Sequence, residues 1–194
     1  MIGRITLQSL KMLMVLTLVA GAAYPAAVGA AAWILFAHQA GGSLVYTGEK
    51  IAGSELLGQK FTKSIYFMPR PSATEYGTVP SGATNYGPQD VRLKDAVTAR
   101  RNELAQKFGS DAEILKSGAA REMLFASASG LDPHISPEAA MMQADSVARA
   151  RGFDGARLEI IKKTIENLTQ RPQFEFMGQP RINVLKLNME IDKL

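Results

Sequence analysis

The longest apolar run lies near the N-terminus, where residues 12–37 contain no charged side chain. An α-helix rises about 1.5 Å per residue, so a helix of this length can cross a hydrocarbon core of about 30 Å. Arg4 and Lys11 precede the run. The positive-inside rule therefore predicts a cytoplasmic N-terminus at 1–11, a transmembrane helix at 12–37 and an extracytoplasmic domain at 38–194.

The alternative to a permanent anchor is a cleaved signal peptide. The charged start fits a signal n-region, and the small residues at 28–30 fit a cleavage site. However, the apolar run continues through residues 33–36, which makes it longer than the apolar part of a signal peptide. We therefore favour the anchor, and a secreted binding protein remains an alternative.

Small residues fill the centre of the predicted span. Between positions 20 and 32, nearly every residue is Gly or Ala, and Gly21, Pro25 and Gly29 recur every four residues. Small residues at this spacing let two helices approach closely in lipid. We therefore predict that Gly21, Tyr24, Pro25 and Gly29 pack against a partner span. Pro25 also removes one backbone donor and favours a kink.

Beyond the span, short strands come first. Mixed apolar and polar positions at 44–59 predict one or two short strands, and the β-branched and aromatic residues at 61–68 predict another. Pro69 and Pro71 would stop that strand. Residues 72–89, rich in Gly, Ser, Pro and Asn, predict a long loop.

Helical periodicity dominates the remainder, and we predict an α+β fold: one transmembrane helix followed by a single extracytoplasmic domain with a small mixed sheet and about three helices. The first predicted helix spans 90–108 and ends at Gly109. The second spans 137–151, with Ser136 as its N-cap. The third begins at Asp154 and ends before Pro172. The predicted strands are 121–129 and 181–187, with Asn188 capping a last helical turn.

Composition and charge narrow the function. The 194 residues are 46% hydrophobic and include no Cys and only two His, which excludes disulfides and thiolate metal sites. We predict no metal site. Two of the charges behind the net charge of +4 are Arg4 and Lys11, so the remainder is nearly balanced and we predict no nucleic-acid partner. Four arginines are expected on solvated helix faces: Arg100, Arg101, Arg149 and Arg151.

The one polar cluster around a histidine is formed by Asp132 and His134. The bland interpretation is a loop in which Asp132 caps a turn. The alternative is a membrane-tethered extracytoplasmic hydrolase in which His134 acts as base for Ser129. Five residues in one loop make the geometry of a catalytic triad difficult, so we predict no catalytic residue.

Five ordered motifs together resemble one family. They are GSELLGQKF at 53–61, YFMPRPSA at 66–73, SGATNYGP at 81–88, SASGLDPHISP at 127–137 and GQPRINVLKLN at 178–188. The chain resembles the KdpC family, whose members belong to the bacterial potassium-transporting P-type ATPase, the Kdp system. The family commonly has Gly-Gly-Ser-Asn at 82–85 and Val at 182, where this chain departs from it.

The resemblance implies an accessory subunit in the inner membrane of a bacterium, required for assembly and stability. The implied partners are a channel-like K+-translocating subunit, a P-type ATPase catalytic subunit and a small stabilising subunit. The resemblance implies no tightly bound cofactor in this chain, since the complex handles ATP and K+. It also implies a role as a catalytic chaperone that raises the ATP affinity of the catalytic subunit. Nucleotide-related residues carried over from the family are Gln143, Ser129 and Gly130. Topology instead favours an outer domain that stabilises the complex or gates its K+ entrance through interface loops containing Arg70, Ser72, Ser81, Asn85, Asp132 and His134.

Overall fold

The computed structural model describes residues 2–108 and 117–194. The chain forms two compact units, Met1–Val45 and Tyr46–Leu194, and each is described by itself. The predicted end of a helix at Gly109 lies outside the described residues.

The first unit is dominated by one long helix. Helix α1 (Ile2–Leu18) continues through a π-helical turn (Val19–Ala23) into α2 (Tyr24–Leu35), after which a short α3 (Ala37–Ala40) follows. The stretch Gly3–Leu35 is long and apolar enough to cross a membrane, at about 50 Å. Residues 2–11 are thus helical and continuous with the apolar helix, which ends at Leu35.

The π-helical turn lies directly before Pro25. The N–H of Tyr24 donates to the carbonyl of Val19, five residues earlier, instead of the usual four. A proline ring crowds the carbonyl one turn before it and supplies no N–H, so a widened turn relieves the clash. The sequence predicted a kink at Pro25, and what the helix shows just before it is this π-helical turn.

The second unit is mainly helical. Five helices of seven or more residues lie within its described part, whereas about three were expected: α4 (Val91–Phe108), α5 (Gly118–Leu124), α6 (Pro137–Ala150), α7 (Gly155–Leu168) and α8 (Val184–Ile191). The three predicted helices correspond to α4, α6 and α7 and are confirmed. Side-chain caps start α6 and α7 as predicted, since Ser136 accepts from the N–H of Ala139 and Asp154 from that of Arg157.

The strands are short and form two separate pairs rather than one mixed sheet. Strands β1 (Leu44–Thr47) and β2 (Lys50–Ser54) pair, which confirms the strands expected at 44–59. Strands β3 (His134–Ile135) and β4 (Ile182–Asn183) pair antiparallel, with His134 opposite Asn183.

Two predicted strands are helical instead. The strand expected at 121–129 was wrong, because Ser117 caps α5 and the helical spacing of Ala120, Met123 and Leu124 buries all three. The strand expected at 181–187 stops after Ile182–Asn183, because the Asn183 side chain accepts from the N–H of Lys186 and starts α8. Asn183 is thus the cap, and Asn188 is not.

The strand expected at 61–68 was also wrong, since these residues, all described, form no regular element. Phe67 is nevertheless fully buried. The segment makes a hydrogen-bonded turn from Lys63 to Tyr66 and then enters the core, where side chains from α6 and α8 take the place of a neighbouring strand. Residues 72–89 form no helix or strand, as predicted for the long loop.

The core of the second unit lies between α4, α5, α6, α7 and α8. Its largest fully buried side chains are apolar, among them Phe67, Ile161, Ile165 and Leu187. Two amides, Gln143 and Asn188, are buried within the same layer. Burying an amide is unfavourable unless it is hydrogen-bonded, so these two residues require partners.

Candidate functional site

Two buried amides hold the 61–68 segment at Phe67 and Met68. The Asn188 side chain accepts from the Phe67 N–H at 2.8 Å and donates to the Phe67 carbonyl at 3.0 Å. Gln143 accepts from the Met68 N–H at 2.7 Å, and its Nε2 lies 3.2 Å from the Met68 carbonyl. We call this arrangement the amide clamp. It satisfies four consecutive backbone groups that would otherwise be buried without partners.

Arg151 extends this attachment toward the start of the segment. Its Nε donates to the Ile65 carbonyl at 2.7 Å, and its other nitrogens bond the Ile191 carbonyl and the Asp192 carboxylate. The guanidinium also lies 5.2 Å from the centre of the Tyr66 ring. Only 11% of the Arg151 side chain is exposed. Arg151 was expected on a solvated helix face, but it is largely buried and bonds backbone carbonyls. Arg100 likewise donates to a backbone carbonyl, that of Leu124.

The loops that carry the family resemblance meet at Gly130. It adopts φ +70°, and an added Cβ would lie 2.8 Å from Thr74 Oγ1 and 2.9 Å from the Gly82 carbonyl oxygen. The Ser72 hydroxyl, two residues before Thr74, accepts hydrogen bonds from the N–H groups of Thr74 and Tyr76. A glycine is therefore required where the 127–137 loop approaches the 72–82 loop.

Two further motifs join the same assembly. The Gly58 N–H donates to the Leu131 carbonyl at 2.7 Å, and Asn183 Nδ2 donates to the Glu55 carbonyl at 2.8 Å. Lys186 forms an ion pair with the Glu55 carboxylate at 2.7 Å. All five motifs of the resemblance thus touch one another, although they are far apart in sequence.

Asp132 is the polar centre of the 127–137 loop. Its Oδ2 lies 3.0 Å from Arg70 Nη1, while its Oδ1 accepts from the His134 N–H at 3.0 Å. The His134 ring nitrogen Nδ1 lies 3.6 Å from the same oxygen. Burial raises the pKa of Asp132, but the hydrogen bonds from His134 and Arg70 outweigh it and leave the pKa below its ordinary value.

A cavity of about 710 Å³ opens beside this ion pair. Glu122, on its wall, accepts the N–H of Ser136 at the start of α6 through both carboxylate oxygens, which suits the positive end of a helix. Arg70 Nε is buried there without a hydrogen-bond partner among the described residues. Charged and polar side chains of both signs line the opening: Arg70, Glu122, Asp132, His134, Glu138 and Arg181.

The structure does not assemble a hydrolase from Ser129 and His134. The Ser129 hydroxyl accepts from the Leu131 N–H at 3.1 Å, and His134 faces Asp132. Within the described ranges no hydrogen bond joins the two side chains. Those ranges also contain no group of three or more His, Cys, Asp or Glu placed to hold a metal ion.

The other predicted site residues fall into three places. Gln143 is fully buried in the amide clamp and also donates to the Ala139 carbonyl. Ser81 and Asn85 are exposed on the long loop, where Asn85 adopts φ +53°. Gly21, Tyr24, Pro25 and Gly29 lie in the first unit, where Tyr24 is 67% exposed.

Sequence reasoning missed the structural roles of Asn188, Arg151 and Asn183. A usable signal existed for Asn188, because Val184, Leu187 and Ile191 surround it at helical spacing. Gln143 has the same relation to Ala139, Ala140 and Val147. A polar residue on the apolar face of a helix predicts a buried side chain that requires a partner.

The fold and the site define a class of protein: a small α+β domain behind one helix suited to membrane anchoring. Comparison with known proteins gives the family. The model for "K+-transporting ATPase, c chain" matches residues 6–193, and the chain belongs to that family.

Curated relatives agree over nearly the full length. The chain is 43% identical over 189 residues to the potassium-transporting ATPase KdpC subunit of Photorhabdus laumondii, covering 96% of this chain and 94% of the relative. It is 43% identical to the KdpC subunit of Polaromonas naphthalenivorans, covering 96% and 93%. It is 38% identical to that of Leptospira interrogans, covering 95% and 91%.

Proposed function

We propose that this chain is a non-catalytic accessory subunit of an ATP-driven, high-affinity K+ uptake complex. The observation that carries the proposal is the family match over residues 6–193. The site supports it, because the polar groups of the shared motifs bond mainly to one another and to backbone, as in a scaffold. A catalytic site would instead present a nucleophile and a base to substrate.

The partners we propose are the channel-like K+-translocating subunit, the P-type ATPase catalytic subunit and the small stabilising subunit. The complex would handle ATP and K+, while this chain binds no cofactor tightly. The apolar helix would anchor it in the inner membrane with the N-terminus in the cytoplasm, as the positions of Arg4 and Lys11 indicate. The domain after the span would then lie outside the cytoplasm.

Within the membrane, we propose that Gly21, Tyr24, Pro25 and Gly29 pack against a partner span. The helix around them is exposed along its length in the isolated chain, so its small residues are free to admit a neighbouring backbone. The π bulge before Pro25 leaves backbone geometry irregular at this depth. Backbone groups at such a site are best satisfied against protein rather than lipid.

For Gln143 we propose a structural role rather than contact with ATP. Its amide oxygen and nitrogen both bond the Met68 backbone, and the side chain is fully buried. A nucleotide would have to displace these bonds to reach it. An effect of this residue on the ATP affinity of the complex would then pass through the stability of the domain.

For the outer loops we propose contact with the channel-like subunit near its K+ entrance. Ser81 and Asn85 are exposed on the long loop. That loop packs closely against Gly130 of the 127–137 loop. The loops are therefore held firmly while their outer face stays open. A partner docked there would meet a defined surface.

This contact is tested in the assembled complex by charge substitution. Ser81→Lys should lower complex yield or apparent K+ affinity, because it places a cation on the docking face. Gln106→Lys, on the exposed side of α4, is the matched control and should change neither. If both variants give wild-type yield and K+ affinity, the outer-loop contact is wrong.

A further inference from the structure

A protruding hairpin joins α7 to β4. Residues Gln170 and Arg181 pair at its base, where two backbone hydrogen bonds are reinforced by one from Arg181 Nε to the Gln170 amide oxygen. Gln173 and Met177 pair near its end through two further backbone bonds of 3.0 and 2.9 Å. The turn is thus an ordered projection. We call residues 173–177 the hairpin tip.

The hairpin tip presents large apolar side chains to solvent. Phe174 and Phe176 are each 79% exposed, and Met177 is 53% exposed. In the same unit, Phe67 is fully buried. A phenylalanine withdrawn from water buries about 150–250 Å² and contributes strongly to an interface. Two such exposed rings separated by one residue favour a protein contact.

The tip backbone is held in an unfavourable conformation. Phe174 and Glu175 adopt φ of +53° and +68°, a region that side chains other than Gly, Asn and Asp rarely occupy. Such residues cost about 1–3 kcal/mol each. The Gln173–Met177 pair and a hydrogen bond of 3.1 Å from the Glu175 N–H to the Pro172 carbonyl hold the turn in this conformation. The hairpin tip is therefore ordered before it meets a partner, which lowers the entropic cost of binding.

The charge of Glu175 limits what the two exposed rings can bind. It stands between the two phenylalanines, and none of the described residues forms an ion pair with its carboxylate. A carboxylate entering lipid hydrocarbon or a dry apolar cleft without a cation would be strongly unfavourable. Lipid is thus a poor occupant, whereas a protein cleft with a Lys or Arg opposite Glu175 fits both the rings and the charge.

We propose that the hairpin tip inserts into such a cleft on another chain of the K+-transporting ATPase complex, with Phe174 and Phe176 as apolar anchors and Glu175 as the partner of a cation. This rests on the proposed function, which supplies the complex. The tip would be a principal contact through which the domain holds its partner.

The test uses full-length tagged protein in native membranes with a benzophenone photo-crosslinking residue at position 176. The expected product is a crosslink to one other chain of the ATPase, reduced several-fold by Phe174→Ser or Glu175→Lys. The matched control is the same residue at position 106, since Gln106 is exposed on α4 and lies outside both the hairpin tip and the outer loops. It should not crosslink to that chain.

Each other outcome overturns the proposal. If wild-type complex is recovered but position 176 crosslinks only to lipid, only to a second copy of this chain, or to nothing, the tip is not a docking element while the proposed function survives. If no other ATPase chain is recovered with the wild-type protein, both proposals fail. Circular dichroism and thermal melting of Phe174→Ser should match the wild type, because Phe174 is 79% exposed and its replacement removes little buried apolar surface from the domain.

Discussion

The side-chain amide of Gln143 bonds both backbone groups of Met68. The Met68 N–H donates to Oε1 at 2.7 Å, and Nε2 lies 3.2 Å from the Met68 carbonyl oxygen. Asn188 makes the same pair of bonds with Phe67. Two helices thus supply, through side chains, the hydrogen bonds that a neighbouring strand supplies in a sheet. This attaches the 66–73 motif to the core.

Gln143→Met should strongly destabilise the domain. Methionine fills a similar volume but leaves the Met68 N–H and carbonyl buried without partners, at a cost of about 2–4 kcal/mol. Chemical denaturation of the purified protein measures the loss. Gln106→Met is the control, because Gln106 is exposed on α4, and it should change stability by less than about 0.5 kcal/mol.

The same variant separates the two interpretations of Gln143. A residue that acts on nucleotide would leave the free energy of unfolding unchanged while lowering the ATP affinity of the complex. A structural residue lowers stability first, and ATP affinity changes only as assembled complex is lost. Wild-type stability in Gln143→Met would contradict the amide clamp.

Gly130→Ala should be far more damaging than Gly152→Ala. Both glycines have φ near +70°, so both substitutions carry similar backbone strain of about 1 kcal/mol. Only at Gly130 would the new Cβ press on Thr74 Oγ1 and the Gly82 carbonyl, whereas nothing lies within 4 Å at Gly152. Thermal melting of the two variants measures the difference, and equal losses would mean that the loops do not meet at Gly130.

Asp132→Asn should reduce stability in a pH-dependent way. The folded pKa of Asp132 lies below its ordinary value of 3.8, so its carboxylate stabilises the fold above that value. The contribution disappears as pH falls through the folded pKa. We expect Asp132→Asn to cost about 1.5 kcal/mol at pH 7, since it weakens a charged hydrogen bond with Arg70.

Denaturation at a series of pH values tests this sign. The gap between wild type and Asp132→Asn should narrow steadily below about pH 4. Asp95→Asn, at an exposed position on α4, is the control and should show little change at any pH. A gap that stays constant from pH 7 to the acid limit would contradict the assigned ion pair.

Gly21→Leu combined with Gly29→Leu should weaken assembly without removing the protein from the membrane. Leucine increases the apolar character of the helix but blocks close approach of a neighbouring backbone. Detergent-extracted membranes should then contain this chain with less co-purifying partner. Leu16→Val, at an exposed apolar site on the same helix, is the control. Equal recovery in all three proteins would contradict the small-residue interface.

Sequence reasoning succeeded where local rules decide structure. The caps at Ser136 and Asp154 and the periodicity of α4 all act within a few residues, and each was predicted. The family resemblance also rested on local motifs, and the family match confirms it.

It failed where distant residues decide. Residues 61–68 have strand composition, but Gln143 and Asn188 are 75 and 121 positions away from the backbone groups that they bond. Composition does not reveal whether such a segment meets another strand or the side chains of helices. The residues at 127–137 and 178–188 were likewise prominent as motifs, yet only tertiary structure brings Asp132 to Arg70 and Asn183 to Glu55.

The most direct test of the central claim is purification of this chain, tagged at its C-terminus, from membranes of potassium-starved cells of the source organism. We predict that a P-type ATPase chain and a multi-span channel-like chain co-purify, with K+-stimulated ATPase activity that falls when the span is replaced by poly-Leu. Recovery of this chain alone, from cells that demonstrably express the other subunits, would contradict the account.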